Sequence, residues 1–302
     1  MLVARATGDG QPRVARVLGL GPRALAEREL RPARVAHDPL VAAAVAEAGR
    51  RSHGIGAYAD PVLHHETTGS GEPLVIVHGS WADSRHWLRL AAELEDTFAV
   101  LLYDRRGHGR SGGRHTNVQD DVDDLACLLR GPAHVVAGSF GGSVALRLAA
   151  SRPDLLKSLS LHEPAVPGVL SGAPRVGGPS SEDLDPKAFA ESSLGEGAWD
   201  WLSEDEREGF RANGQAWRDE MADATALSID TASLASFERP VMISVGSEGA
   251  PFFRAIAEAL ADALPNAEIH TIDGAGHLPH LTHAREYGEL VRSFATAAAA
   301  RR

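Results

Sequence analysis

The chain has 302 residues, one cysteine, 43% hydrophobic residues and a formal net charge of −11. An acidic surface repels phosphates, which argues against nucleic acid as a partner, and the lone Cys127 rules out an intramolecular disulfide framework or a thiolate metal cage. No run approaches the roughly 18 uninterrupted apolar residues of a membrane span, and Arg5 and Asp9 stand where a secretory leader needs an apolar core. A cytoplasmic protein with no membrane partner is expected.

The charge is uneven. Residues 1–52 carry nine arginines against five acids, a balance of +4, which leaves −15 on the rest. Pro12, Pro22, Pro32 and Pro39 interrupt any long helix there. Residues 1–54 are therefore read as a poorly ordered or peripheral extension, and 55–302 as the main domain.

From residue 55 short apolar runs alternate with helical periods. Val62–Glu66 reads as a strand, Thr67–Pro73 as a turn, and Leu74–His78 as a strand buried on both faces. A helix over Ser84–Glu95, capped by Asp83 or Ser84, leads to a strand at Ala99–Asp104. A helix at Val118–Leu129, a strand at Ala133–Gly138, a helix at Phe140–Ser151 and a strand at Leu156–Glu163 follow. Residues 164–236 break the rhythm, being rich in Pro, Gly and acids with three tryptophans, and read as an inserted helical cap. The alternation resumes with a strand at Val241–Gly246, a helix near Phe252–Leu264, a strand at Ala267–Asp273 and a last helix from about Thr282. This order predicts an α/β fold, a mostly parallel sheet with helices on both faces.

Chemistry is expected at the strand ends, where open α/β sheets bind ligands. In Ala137-Gly138-Ser139-Phe140-Gly141 a serine stands between an apolar strand and an apolar helix, with small residues two places away on each side. That suits a sharp turn that thrusts the hydroxyl out as a nucleophile and turns the Phe140 N–H toward a developing oxyanion. A serine needs a base, and His277 in Asp273-Gly-Ala-Gly-His is the candidate. His277, His280 and His283 recur every third residue, but no carboxylate or thiol completes a metal set and Pro279 breaks its geometry, so metal: none is expected. Gly79 in His78-Gly79-Ser80-Trp81 permits a turn that aims the Ser80 N–H toward Ser139. His78 reads equally as packed or functional.

Taken in order, LVIVHGSW, LLYDRRGHGRS, AGSFGG, VMISVG and DGAGH resemble the α/β-hydrolase superfamily over residues about 55–300. The resemblance implies an eight-stranded sheet, a nucleophile elbow at Ser139, a general base at His277 and a structural role for Asp104 and His108. Ser247–Phe253 is similar to a stretch found in small bacterial hydrolases of this type. The third triad member departs from the common pattern. The slot three residues beyond Gly246 holds Gly249, which leaves Glu248, one residue early, Glu163 at the tip of the preceding strand, where some members take the acid, or no acid in reach of His277. Either glutamate would accept a hydrogen bond from the imidazole and fix its tautomer.

Trp81, Trp199 and Trp217 offer apolar area for a substrate pocket. Trp199 and Trp201 stand two apart and point in different directions on a helix, so at least one packs the cap. Ser203–Glu206 has capping-box character, its charges read as a solvated face. The expectation is a serine hydrolase for an ester or related acyl bond of a small, fairly apolar molecule, with no cofactor and a homodimer left open. C–C bond hydrolysis, cofactor-free perhydrolysis, a lyase or cyclase, and a non-catalytic receptor on the same fold are the alternatives.

Overall fold

The computed structural model describes residues 62–170 and 185–300. The extension 1–54 and residues 171–184 of the inserted segment lie outside them. Seven strands form one sheet: β1 (His65–Thr68), β2 (Glu72–Val77), β3 (Phe98–Tyr103), β4 (Ala133–Gly138), β5 (Leu156–His162), β6 (Val241–Gly246) and β7 (Ala267–Ile272). Their order is β1-β3-β2-β4-β5-β6-β7, all parallel except β1, which runs antiparallel to β3. The α/β class is borne out. The eighth strand implied by the resemblance is not among the described residues, and β1 runs His65–Thr68 where Val62–Glu66 was expected.

Helices cover both faces. α1 (Leu88–Leu94) and the C-terminal helix lie on one face, α2 (Val118–Leu128) and α3 (Phe140–Ser151) on the other. The strand period of two sorts β2 between them. Leu74 and Ile76 pack with Trp87, Leu90 and Leu94, while Val75 and Val77 pack with Val122, Leu125 and Val144. Each such buried side chain contributes roughly 1.5–3 kcal/mol, so β2 is held from both sides.

The expected helix over 84–95 splits into a 3-10 turn, Ser84–Trp87, and α1. Asp83 caps the turn by accepting the Arg85 N–H at 3.1 Å. Between β5 and β6 lie α4 (Pro186–Leu194), α5 (Ala198–Trp201), α6 (Glu204–Ala212) and α7 (Gly214–Ala222). Ser203 and Glu206 form the capping box at α6, with Ser203 N–H donating to Glu206 Oε2 at 2.7 Å. Glu206 is not on a solvated face: it is 5% exposed and pairs with Arg89 at 2.8 Å. α8 (Pro251–Ala263) follows β6. After β7 the chain makes a short α9 (Pro279–Thr282) and leaves helical geometry at His283 before α10 (Ala284–Ala300). The last helix, expected from about Thr282, thus starts at Ala284.

The strand order reverses at β2. The chain moves from β2 out to β3 and then returns to β4 on the other side. A crevice opens beyond the carboxyl ends of β2 and β4, the place where open α/β sheets take ligands.

Candidate active site

Ser139 sits at that switch point, directly after β4 and as the N-cap of α3. It is partly exposed, while Ala133–Gly138 and Phe140–Leu146 around it are buried. Its backbone adopts φ +51° and ψ −122°, a region that costs a non-glycine residue about 1–3 kcal/mol. The turn is clamped from two sides: Ser139 N–H donates to His162 O at 3.0 Å, and Ala165 N–H donates to Ser139 O at 2.9 Å. Gly141 is required by close approach, since a Cβ there would stand 2.3 Å from Val77 O. The loop after β2 meets the serine, a Cβ at Gly79 falling 2.9 Å from Ser139 Cβ. Among the described residues neither the Ser80 nor the Phe140 N–H donates a hydrogen bond within the protein.

His277 lies on the loop between β7 and α9. That loop is tied to the end of β6 by Glu248 N–H donating to Ala275 O at 2.9 Å and Gly274 N–H donating to Ser247 Oγ at 2.8 Å. The carboxylate that reaches His277 is Glu163: its Oε2 lies 2.6 Å from Nδ1, and its Oε1 accepts the Gly246 N–H at 3.0 Å. With Nδ1–H donating to Glu163, Nε2 is left without a protein partner among the described residues. Burial alone would raise the Glu163 carboxyl, but the hydrogen bond from His277 and the charges of His162 and His277 outweigh it and hold it below the usual carboxylate range. Burial pushes the neighbouring His162 down to about 4, so it is neutral near pH 7.

Glu163 leaves β5 with φ +42°. Trp81, Ser139 and Glu163 are the non-glycine residues with positive φ among the described residues, and all three follow strands at this one sheet edge. Glu248, the other candidate acid, has an exposed side chain and makes no bond to His277. The vacant slot has a physical counterpart: a Cβ at Gly249 would stand 2.2 Å from Glu163 Oε1. The Glu163 carboxylate fills the space a side chain at 249 would need.

The other histidines go elsewhere. His280 is buried and stacks on Trp87 with centroids 3.8 Å apart, while His283 bonds Thr282 Oγ1 at 2.8 Å. Asp104 accepts the Ser84 N–H at 2.9 Å and the Arg110 N–H at 2.8 Å, a loop-holding arrangement. Of the tryptophans, Trp81 (2% exposed) stacks on Phe189 at 5.5 Å and lies 5.7 Å from Trp217 (8%), in a cluster that joins the inserted segment to Leu278 and Leu281. Trp199 faces Phe210 at 6.4 Å, and Trp201 stands 46% exposed beside Arg89. Trp81 and Trp217 therefore spend most of their ring surface on packing.

Sequence reasoning missed Phe253, which stacks on the His277 ring at 4.6 Å and 12°. The stretch 247–253 carried a likeness but no role. It also missed Arg105 and Glu220, fully buried partners beside the 78–81 loop. Arg105 had only a polar glycine-rich turn around it as a signal, and Glu220 had none.

The profile of the alpha/beta hydrolase family matches residues 74–290. The chain is 29% identical over 241 residues to the pimeloyl-[acyl-carrier protein] methyl ester esterase of Chromobacterium violaceum, covering 74% of this chain and 94% of that protein. It is 32% identical over 118 residues to the uncharacterized hydrolase YraK of Bacillus subtilis, where the match spans 36% of this chain and 44% of that protein. Its fold is similar to that of a thermophilic esterase from Thermogutta terrifontis, with TM-score 0.66 and 26% identity over 80% of this chain and 96% of that one. No helix among the described residues is long and apolar enough to cross a membrane. The chain belongs to the alpha/beta hydrolase family and is a hydrolase enzyme.

Proposed function

We propose that the chain hydrolyses a carboxylic ester of a small, fairly apolar molecule through an acyl-enzyme on Ser139. The observation that carries this reading is His277 held at Nδ1 by Glu163 at 2.6 Å, with Nε2 unpartnered among the described residues, while the residue before Glu163, His162, holds the sharp turn of Ser139 through its carbonyl. His277 Nε2 takes the Ser139 proton as Oγ bonds to the ester carbonyl carbon. The Ser80 and Phe140 amides stabilise the tetrahedral oxyanion, the C–O bond to the alkoxide breaks, and His277 returns the proton to the leaving alcohol. Water repeats the sequence and releases the acid. Glu163 keeps its charge throughout and stabilises the imidazolium, and Phe253 fixes the ring plane from one face. No step calls for a metal or organic cofactor.

The names of the relatives support an ester as the bond cleaved. The aromatic cluster of Trp81, Trp217 and Phe189, next to Ser80 in the chain, supports an apolar acyl or alcohol group. The test is labelling with a fluorophosphonate probe together with turnover of short p-nitrophenyl esters. Ser139 should carry the label, and Ser139→Ala should lose activity by about 10³-fold or more. Full activity in that variant, or a label on another residue, overturns the reading.

A further inference from the structure

The 78–81 loop is held by a buried charged cluster that the chemistry above does not use. Arg105 is 0% exposed and lies just beyond β3. Its own N–H donates to His78 Nε2 at 2.8 Å, its Nε donates to His78 O at 3.1 Å, and its Nη2 donates to Gly79 O at 3.4 Å. Because His78 Nε2 accepts, its Nδ1 carries the hydrogen and donates to Gly79 O at 2.8 Å. The Gly79 carbonyl is thus fixed by two donors.

That carbonyl and the Ser80 N–H belong to one planar trans peptide unit and point in opposite directions. Fixing the oxygen of residue 79 therefore aims the hydrogen of residue 80. Glu220, also 0% exposed, reaches the same place from α7 in the inserted segment. It pairs with Arg105 Nη2, accepts the Ser80 hydroxyl at 2.5 Å and stands 3.3 Å from His108 Nε2. Asp121 takes Arg105 Nη1 at 3.0 Å and is itself bonded by His115 Nδ1 at 2.7 Å. One guanidinium thus faces two carboxylates in a dry site, where losing a partner is felt strongly.

We propose that Arg105 and Glu220 are positioning residues for the oxyanion site, together setting the Gly79–Ser80 peptide plane, so that the site is complete only when α7 is docked. The inference rests on the serine-hydrolase reading and adds a coupling between the inserted segment and the transition state. Donors matched to the oxyanion act on the transition state and hardly on the ground state. A purely structural ion pair would lower stability without that selectivity.

The test uses the full chain, with thermal melting to verify folding. The readouts are kcat and KM on p-nitrophenyl butyrate, and inhibition by an aryl trifluoromethyl ketone, which forms an oxyanion on Ser139, against the matching alcohol, which does not. Glu220→Gln should lower kcat by about 10-fold with KM within about twofold, and should weaken the ketone but not the alcohol. Ser80→Ala, which keeps the amide and the charged cluster, should shift the same quantities in the same direction by a smaller factor. A folded Glu220→Gln with kcat within twofold of the parent overturns the proposal, as do ketone and alcohol weakened alike. If Glu220→Gln does not fold, Ser80→Ala decides: unchanged kcat and ketone affinity overturn it. A parent enzyme that the fluorophosphonate does not label at Ser139 defeats the serine-hydrolase reading instead, so the two failures are distinguishable.

Discussion

The tips of β5 and β6 each carry a glutamate, and only one of the two side chains reaches the imidazole. At the end of β5 the chain bends into positive φ at Glu163, and the carboxylate turns inward to the Gly246 N–H and His277. At the end of β6 the chain spends Glu248 on a backbone contact to Ala275 and leaves its side chain in solvent. Proximity in sequence to a usual slot is thus worth less than backbone direction at the strand tip. A buried charge needs partners on every side, and only the β5 tip supplies them.

Three experiments break or sharpen that contrast. Glu163→Gln keeps the shape but removes the charge that stabilises the imidazolium, and should cost about 10³–10⁴-fold in kcat with a smaller change in KM. Activity within tenfold of the parent would show that the imidazole does not depend on this carboxylate. The second moves the acid between the tips: Glu163→Ala empties the space 2.2 Å from a Cβ at 249. Adding Gly249→Asp should then recover roughly 10-fold of the lost rate. No recovery in steady-state assays would mean that the 249 backbone cannot aim a carboxylate at Nδ1. The smallest effect belongs to Glu248→Gln, which should leave kcat/KM within about twofold, as expected of an exposed side chain. A loss above tenfold would reverse the assignment of the two glutamates.

Much of the scaffold was legible because its signals are local. Ala133–Gly138 and Phe140–Ser151 were read residue for residue, since an apolar run, a glycine and a small-residue turn announce both ends. The same signals gave Ser139 and His277. The choice between Glu163 and Glu248 was not legible. It depends on the φ of one residue and on the pairing of Leu161 with Ile243 and of His162 with Ser244 across β5 and β6. Neither leaves a mark in the sequence nearby. Arg105 and Glu220 are 115 positions apart, so each reads alone as a surface charge. Phe253 has the same difficulty, because its stacking partner sits beyond another strand.

The clamp on Ser139 has a consequence for the order of folding. The strained turn is held by the carbonyl of His162 and the amide of Ala165, both C-terminal to α3. The helix can form from its own residues, and β4 can pair with β2 as soon as both are present. The elbow's long-range clamps cannot: until β5 has docked, the His162 and Ala165 bonds that help to offset a backbone geometry costing about 1–3 kcal/mol are missing. An emerging chain that ends before Leu156 therefore lacks both of these clamps on the serine turn. Nucleophile geometry arises late, as a product of long-range pairing and not of the local motif.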